Sequence, residues 1–203
     1  IGSVFRERSL LECGDISATS LHATKLLNTA EGGGCVTGDP ALAEKLGRIR
    51  FFGHDHAKNV VEGGFNGKMT EIHAALGLAN LKYHEAVLAD RKHKYSVYRD
   101  VLKTADCLSF QILKHGEPNY SYFPVIFPSE EALLRVQEHF AGLNIFPRRY
   151  FYPSVNTYTH IVDYQPAPVS EAVSRRILCL PLYRELSEND VIMIAETILR
   201  SIT

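Results

Sequence analysis

The sequence predicts a mixed α/β protein, in which short strands alternate with amphipathic helices. The glycine run at 32–34 leads into a short segment at 33–37, a pattern typical of a buried strand that follows a turn. Apolar residues recur at spacings of three and four from Met69 to Val87, which is the period of a helix. An alternating, aromatic-rich segment and a last amphipathic helix follow Thr104 and predict a smaller α+β part. We therefore expect two domains, 1–103 and 104–203.

In the first part, Asp39 can cap a helix that Pro40 begins, because proline fits the first helical position. The stripe of Met69, Ile72, Leu76, Ala79, Tyr83 and Val87 predicts a long helix from Lys68, which continues to Leu102 with or without a bend near Arg91. The expected elements are strands at 3–5, 15–20 and 33–37, a helix at 41–49, a loop at 51–65 and this long helix.

In the second part, a capping box is expected at 187–190, where serine and aspartate can cap the last helix reciprocally. The apolar face of that helix consists of Val191, Ile194, Ala195, Ile198, Leu199 and Ile202. The other expected elements are strands at 120–127, 144–147 and 177–180 and helices at 128–140 and 169–176.

The bulk composition argues against several functional classes. The 203 residues carry a net charge of -1, which offers no electrostatic basis for binding nucleic acid or an anionic membrane. No apolar run is long enough to span a bilayer. The four cysteines are scattered without a C-x-x-C pair, which favours free thiols in a reducing cytoplasm. The chain opens on Ile1 without a methionine, so we expect further sequence upstream.

The segment SLHATKLLNTAEGGG places Lys25 between a predicted strand and a glycine turn. A catalytic lysine attacks a carbonyl to form a Schiff base and needs a rigid support, which the end of a strand provides. Ser20 and Thr24 supply hydroxyl groups that can bind a phosphate. Most lysines are solvated surface residues, and a glycine run is more often a turn than a phosphate-binding nest. The residues alone leave both interpretations open.

Three further segments have both a functional and an ordinary interpretation. His54 and His56 can chelate a metal from a strand, but no third ligand is evident, so a polar loop is expected and no metal. Asn66 either forms a helix-entry turn or donates to an anion at a helix N-terminus. The segment RRYFYP at 148–153 pairs cations with aromatic rings and either contacts a phosphate or nucleotide or lies on the surface.

Taken together, these segments resemble one family. SLHATKLLNTAEGGG and FNGKMTEIHAALGLANL are similar to the two signatures of the DegT/DnrJ/StrS-type sugar aminotransferases, and RRYFYPSVNTY and LCLPLY to its C-terminal motifs. The resemblance covers essentially the whole chain and implies the aspartate-aminotransferase fold. Residues 1–103 would be the remainder of a three-layer αβα cofactor-binding domain, and 104–203 a small C-terminal α+β domain.

The resemblance also implies pyridoxal 5'-phosphate as the cofactor and a role for each matching residue. Lys25 matches the lysine that holds the cofactor covalently and then moves protons as general acid and base. Ser20 matches a serine that contacts the cofactor phosphate. Asn66 matches an asparagine that reaches the phosphate in the partner subunit's site, which implies a homodimer with shared active sites.

The resemblance further implies that an amino group passes from glutamate to a nucleotide-linked keto-6-deoxysugar, with the 4-amino product slightly favoured over the 3-amino product. Lys25 argues for transamination, because a dehydratase branch of the family has histidine there. Arg148, Tyr152 and Asn156 are the candidate substrate-binding residues, although Asn156 stands where many members have histidine, which leaves the sugar open.

The family's full chain is nearly twice this long, so the resemblance implies that the N-terminal part of the fold lies upstream of Ile1. That part would carry the first phosphate-binding turn, an aromatic residue on the cofactor ring and the aspartate that pairs with the pyridine nitrogen.

Two alternatives to this function stay open. One is a truncated, inactive chain that dimerises or binds a partner, and the other acts on a non-sugar substrate such as a cyclic ketone or serves as a regulator.

Overall fold

A computed structural model describes residues 1–202 and confirms the mixed helix and sheet architecture. The chain divides into two compact units. The first contains Ile1–Leu88 and Lys114–Asn119, and the second contains Ala89–Leu113 and the chain from Tyr120 onward. The expected division into a cofactor-binding and a small domain at residue 103 stays a prediction.

The first unit begins with two antiparallel pairs of strands. Strand β1 (Val4–Phe5) pairs with β2 (Arg8–Ser9), and β3 (Ser17–Ser20) pairs with β4 (Gly33–Val36). The register of the second pair places Ser20 opposite Gly33. The loop between β3 and β4 therefore starts and ends at one place, which sets the frame for Lys25.

Helix α1 (Pro40–Ile49) confirms the expected helix start. The Asp39 carboxylate accepts hydrogen bonds from the backbone N–H groups of Ala41, at 2.7 Å, and Leu42, at 3.4 Å. These amides have no partner inside the helix, so the cap stabilises the first turn.

The single long helix predicted from Lys68 is wrong in its bounds, because the structure contains two helices. Helix α2 (Glu71–Leu81) begins after Thr70, whose hydroxyl accepts from the backbone N–H of His73 at 3.3 Å. Helix α3 (His84–Leu102) follows after a break at residues 82–83. A continuous apolar period hides such a break, because the stripe resumes in register on the second helix.

Much of the predicted apolar stripe is exposed. Ile72 is 81% exposed, Tyr83 58% and Leu76 39%. The covered side of α2 is a narrower row of His73, Ala74, Gly77 and Asn80. Small and polar side chains lie on that side because the backbone of the helix closely approaches the Lys25 loop.

The second unit contains a three-stranded antiparallel sheet in the order β5 (Ser109–Phe110), β6 (Phe123–Ile126), β7 (Ile177–Leu180). Its helices are the latter part of α3, α4 (Glu130–Gly142), α5 (Pro168–Arg176) and α6 (Glu188–Ile202). The buried core is formed by β6, β7 and the helices, and its largest fully buried side chains are Tyr98, Phe123, Phe127 and Phe140.

The capping box before α6 is confirmed. Ser187 Oγ accepts from the backbone N–H of Asp190 at 3.1 Å, and the Asp190 carboxylate accepts from the backbone N–H of Ser187 at 3.2 Å. Val191, Ile194, Ala195 and Ile198 are buried as predicted, and Leu199 and Ile202 pack against the core.

The strand predicted at 144–147 is wrong. Asn144 has a φ of 57° and follows the end of α4, so this residue turns the chain where a strand would need extended backbone. A single bridge joins Arg148 to Cys179 of β7. Within residues 1–202, no helix has both the length and the apolar character to cross a bilayer, and all four cysteines are free thiols.

Candidate active site

Lys25 lies in a closed loop between β3 and β4. The backbone N–H of Leu21 donates to Gly32 O at 2.9 Å, and that of Thr29 donates to Leu21 O at 2.8 Å. The backbone N–H of Lys25 donates to His22 O at 2.9 Å, which forms a turn at the tip. The side chain of Lys25 is exposed. A loop pinned at its base presents an amine from a defined backbone position.

His22 shapes the turn that leads to Lys25. The backbone N–H of Thr24 donates to His22 Nδ1 at 3.1 Å, so this ring nitrogen is an acceptor. A neutral ring then carries its proton on Nε2, which lies 3.6 Å from a carboxylate oxygen of Glu31. These contacts order the side chain next to the lysine turn, although both groups are exposed.

Ser20 ends β3 at the entrance of the same loop. Its hydroxyl oxygen accepts from the backbone N–H of His22 at 3.3 Å, while the hydroxyl proton remains a donor. The structure thus brings the predicted hydroxyl and the predicted amine together in one short loop. This donor set fits a cofactor that carries an aldehyde and a phosphate, because the exposed amine of Lys25 can bond the first and Ser20 can donate to the second.

The glycine run has a packing role. A Cβ atom on Gly32, where φ is +150°, would lie 2.5 Å from Thr29 Oγ1 and 2.8 Å from Met69 Cε. A Cβ atom on Gly33 would lie 3.1 Å from the backbone oxygen of Thr19. These contacts account for two of the three glycines by close packing of the loop.

Asn66 lies in the loop before α2 and not at the N-terminus of a helix, which contradicts both interpretations based on a helix start. It pairs with Phe51 in an isolated bridge, and α2 begins only at Glu71. The Asn66 side-chain oxygen accepts from Lys68 Nζ at 2.5 Å. The Lys68 ammonium lies 4.3 Å from the ring centroid of Phe52 and 5.2 Å from that of Phe51. Since a lysine only donates, this contact fixes which end of the amide is the oxygen.

In the second unit, Arg148 and Tyr152 are four positions apart in sequence and have different partners. Arg148 donates to the hydroxyl of Tyr150 at 2.7 Å. The guanidinium of Arg149 lies 3.6 Å from the ring centroid of Tyr152 and donates to Glu130 at 2.7 Å. Arg149 therefore holds the Tyr152 ring, while Arg148 is exposed at the edge of the sheet.

Asn156 is engaged within its own loop. Its amide nitrogen donates to Gln165 O at 2.8 Å and to the Glu171 carboxylate at 2.7 Å, and its oxygen accepts from Ser154 Oγ at 2.6 Å. The pKa of Glu171 is lowered, first by the hydrogen bond from the Ala167 backbone N–H and then by that from Asn156. This geometry gives Asn156 a role in folding the loop, and its contact with a substrate stays a prediction.

His54 and His56 lie in the polar loop that was expected. His54 Nδ1 lies 3.0 Å from Phe51 O. Nowhere in the described part of the chain do three or more His, Cys, Asp or Glu side chains gather as a metal site would require.

Residue patterns alone did not identify Asn28, Thr29, Lys68 or Asn80, which support the residues above. Asn28 donates to Lys25 O at 3.3 Å, and Asn80 donates to Asn28 O at 2.9 Å. The available signal was Asn80 itself, a polar residue inside the apolar segment AALGLANL.

Comparison with protein families gives a match over residues 1–199 to the model described as the DegT/DnrJ/EryC1/StrS aminotransferase family. The chain is 34% identical over 197 residues to a dTDP-4-amino-4,6-dideoxy-D-glucose transaminase of Shigella dysenteriae, covering 94% of this chain and 53% of that protein. It is 28% identical to a GDP-perosamine synthase of Escherichia coli O157:H7, with coverages of 97% and 54%. The chain thus spans about half the length of the curated relatives it matches.

Solved structures agree. The structure of DesI in the presence of its TDP-sugar product has a TM-score of 0.85 and 28% identity, covering 99% of this chain and 53% of that one. The Helicobacter pylori aminotransferase PseC has a TM-score of 0.87 and 24% identity, with coverages of 99% and 57%, which supports the fold alone.

Proposed function

The chain belongs to the DegT/DnrJ/EryC1/StrS aminotransferase family, and from this premise we propose that the protein is a pyridoxal-phosphate-dependent aminotransferase. Its substrates would be glutamate as amino donor and a nucleotide-linked keto-6-deoxysugar as acceptor, with the 4-amino product favoured. The observation that supports the proposal is the closed loop between β3 and β4, which has Ser20 at its entrance and the exposed Lys25 at its turn.

Lys25, Ser20 and Asn66 would each have a different role in this reaction. Lys25 would hold the cofactor through its amine, and its Nζ would then take up and return the proton of the reacting carbon. Ser20 would donate its hydroxyl proton to the phosphate, and the amide of Asn66 would donate to a phosphate in the partner subunit's site. When bound, pyridoxal phosphate supplies the electron sink for the reaction.

The nature of the substrate is inferred from the relatives. Two of them are named for amino sugars linked to a nucleotide. One is a dTDP-4-amino-4,6-dideoxy-D-glucose transaminase, and the other is a GDP-perosamine synthase. Arg148 is exposed and carries a forked cation, which is suited to a diphosphate oxygen. Tyr152, held by Arg149, offers a ring on which a sugar or base can pack.

A homodimer and a cytoplasmic location belong to the same proposal. The exposed apolar side of α2, with Ile72 81% and Leu78 66% exposed, supports an interface with a second copy. The cytoplasmic location rests on the scattered cysteines.

The alternative proposal is a chain that keeps the fold and lacks activity. The observation that favours it is the share of a relative that this chain covers, which is 53% for the Shigella dysenteriae transaminase. Recovery of any sequence upstream of Ile1 and assay of both forms separate the two proposals.

The test is trapping of the cofactor on Lys25. Purified protein with pyridoxal phosphate, as these 203 residues and as the complete protein that contains them, is reduced with borohydride and mapped by peptide mass. We expect an adduct on Lys25, and we expect Lys25→Ala to lose the visible absorbance of lysine-bound cofactor while Lys45→Ala, at an exposed lysine of α1, keeps it. A Lys25→Ala variant that keeps the absorbance would refute the assignment. An adduct in the complete protein alone would support the inactive-chain alternative for this chain.

A further inference from the structure

Helix α2 contacts the Lys25 loop through a polar residue on its narrow covered side. Asn80 donates its amide to the backbone oxygen of Asn28 at 2.9 Å, and the two residues are 52 positions apart. The contact is partly buried, and the rest of α2 around it is almost entirely apolar. A polar residue in such a helix is favoured where its hydrogen bond is made.

Asn28 continues this contact to the lysine. Its side-chain nitrogen donates to the backbone oxygen of Lys25 at 3.3 Å, and its side-chain oxygen accepts from the backbone N–H of Ala30 at 3.3 Å. The side chain thus bridges the tip of the loop and the segment that returns toward β4. Asn80 holds the backbone from which that bridge is built.

A second contact lies one helical turn away on α2. A Cβ atom on Gly77 would lie 2.6 Å from Thr29 Cγ2, so the helix and the loop touch there without room for a methyl group. Thr29 is 4% exposed, and its hydroxyl donates to Glu31 O at 2.6 Å. The two loop residues next to each other in sequence, Asn28 and Thr29, are therefore both held by α2.

We propose that Asn80 is a positioning residue for Lys25. Through Asn28 it holds the backbone of the lysine turn, while Gly77 and Thr29 keep the helix at the distance that this hydrogen bond needs. The side chain of Lys25 is exposed. The position of its backbone therefore sets where the reacting nitrogen can reach. This inference rests on the proposed function for its catalytic consequence and on the geometry alone for the order of the loop.

The first experiment compares three variants of the complete protein. Asn80→Leu removes the donor at similar volume, Asn80→Gln restores an amide, and Lys82→Gln is the control just beyond the end of α2. We expect Asn80→Leu to slow borohydride-trapped adduct formation on Lys25 about tenfold, the effect of losing one well-placed hydrogen bond. We expect a similar fall in kcat with little change in KM, partial recovery in Asn80→Gln and none of these effects in Lys82→Gln.

Amide hydrogen exchange tests the order of the Lys25 loop separately from the catalytic consequence. Asn80→Leu should raise exchange in residues 21–32 and leave α1 unchanged. If wild-type protein forms no adduct on Lys25, the proposed function fails, while exchange in the loop still tests the positioning contact. Unchanged exchange and unchanged trapping in Asn80→Leu would overturn the inference, and so would an Asn80→Gln variant no better than Asn80→Leu.

A second experiment tests the packing contact independently. Gly77→Ala should slow trapping on Lys25, because the added methyl group displaces Thr29. Thr29→Ser removes Cγ2 and keeps the hydroxyl, so Gly77→Ala with Thr29→Ser should recover at least half of the lost rate. A double variant as slow as Gly77→Ala would show that the two residues do not act through this contact.

Discussion

At the scale of single residues, the side chain of Asn66 depends on its neighbour Lys68. The ammonium of Lys68 donates to the amide oxygen of Asn66 and also lies over the rings of Phe51 and Phe52. These three contacts hold the ammonium in place. With the oxygen engaged, the amide N–H groups of Asn66 are the part left to meet an anion. The pair therefore combines a positive charge and a directed donor.

This pairing predicts that Lys68→Met weakens retention of pyridoxal phosphate about tenfold in the complete protein, through loss of both the charge and the orientation of Asn66. Asn66→Ala should have a similar effect, and the double variant should be little worse than either. Retention is measured by dialysis followed by cofactor absorbance, with Lys45→Met on α1 as the control. Strictly additive effects would show that the two side chains act separately.

Residue patterns identified Lys25 and Ser20 as candidates because chemistry-bearing types stood beside a predicted turn. They missed Asn28 and Asn80, whose contact joins positions 52 residues apart. No local pattern encodes a hydrogen bond of that separation, since it exists only after α2 packs on the loop.

At the scale of elements, the loop before α5 is organised by one carboxylate. Glu171 accepts from Asn156 at 2.7 Å, from the Tyr164 hydroxyl at 3.0 Å and from the backbone N–H of Ala167 at 3.0 Å. These donors favour the charged form and lower the pKa of Glu171, with a further contribution from the charge of Arg175. The folded loop thus prefers an ionised Glu171.

A group whose pKa is lower in the folded loop stabilises that loop above its unfolded pKa and loses the effect as pH falls through the folded value. We therefore expect the loop at 154–167 to become more open to proteolysis below the ordinary pKa range of glutamate. Glu171→Gln should be more open at neutral pH and should lack this pH dependence. Limited proteolysis from pH 7 to pH 3 with an acid-stable protease measures both, and a wild-type loop unaffected by pH would contradict the assignment.

The elements best predicted were those with local caps, such as α1 after Asp39 and α6 after Ser187. The predicted strand at 144–147 failed because Asn144 adopts a turn conformation that its apolar neighbours do not reveal. The break between α2 and α3 was also missed, because apolar periodicity continues across it.

At the scale of the whole molecule, one side of α2 packs on the Lys25 loop and the other side is exposed. Gly77 and Asn80 lie on the side that contacts the Lys25 loop, whereas Ile72 and Leu78 are exposed. A helix that is apolar all round is normally covered on all sides. The exposed side therefore supports the proposed homodimer.

This predicts that Ile72→Glu weakens self-association of the complete protein about tenfold or more, because a charge replaces apolar area at an interface. Val169→Glu, at a comparably exposed valine of the second unit, is the matched control and should leave the dimer intact. Sedimentation over a range of protein concentrations measures the change. A dimer equally stable in both variants would exclude this side of α2 as the interface.

The sequence by itself determined the α/β class, the caps of α1 and α6 and the presence of a lysine loop next to a glycine turn. These features depend on interactions between residues close in the chain, which local patterns record. Only the tertiary structure decided which side of α2 meets the Lys25 loop, how Asn80 and Gly77 hold that loop and how Glu171 of α5 holds the loop before its helix. The physical reason is that close packing and hydrogen bonds between distant segments select among faces that the sequence leaves equally apolar or equally polar.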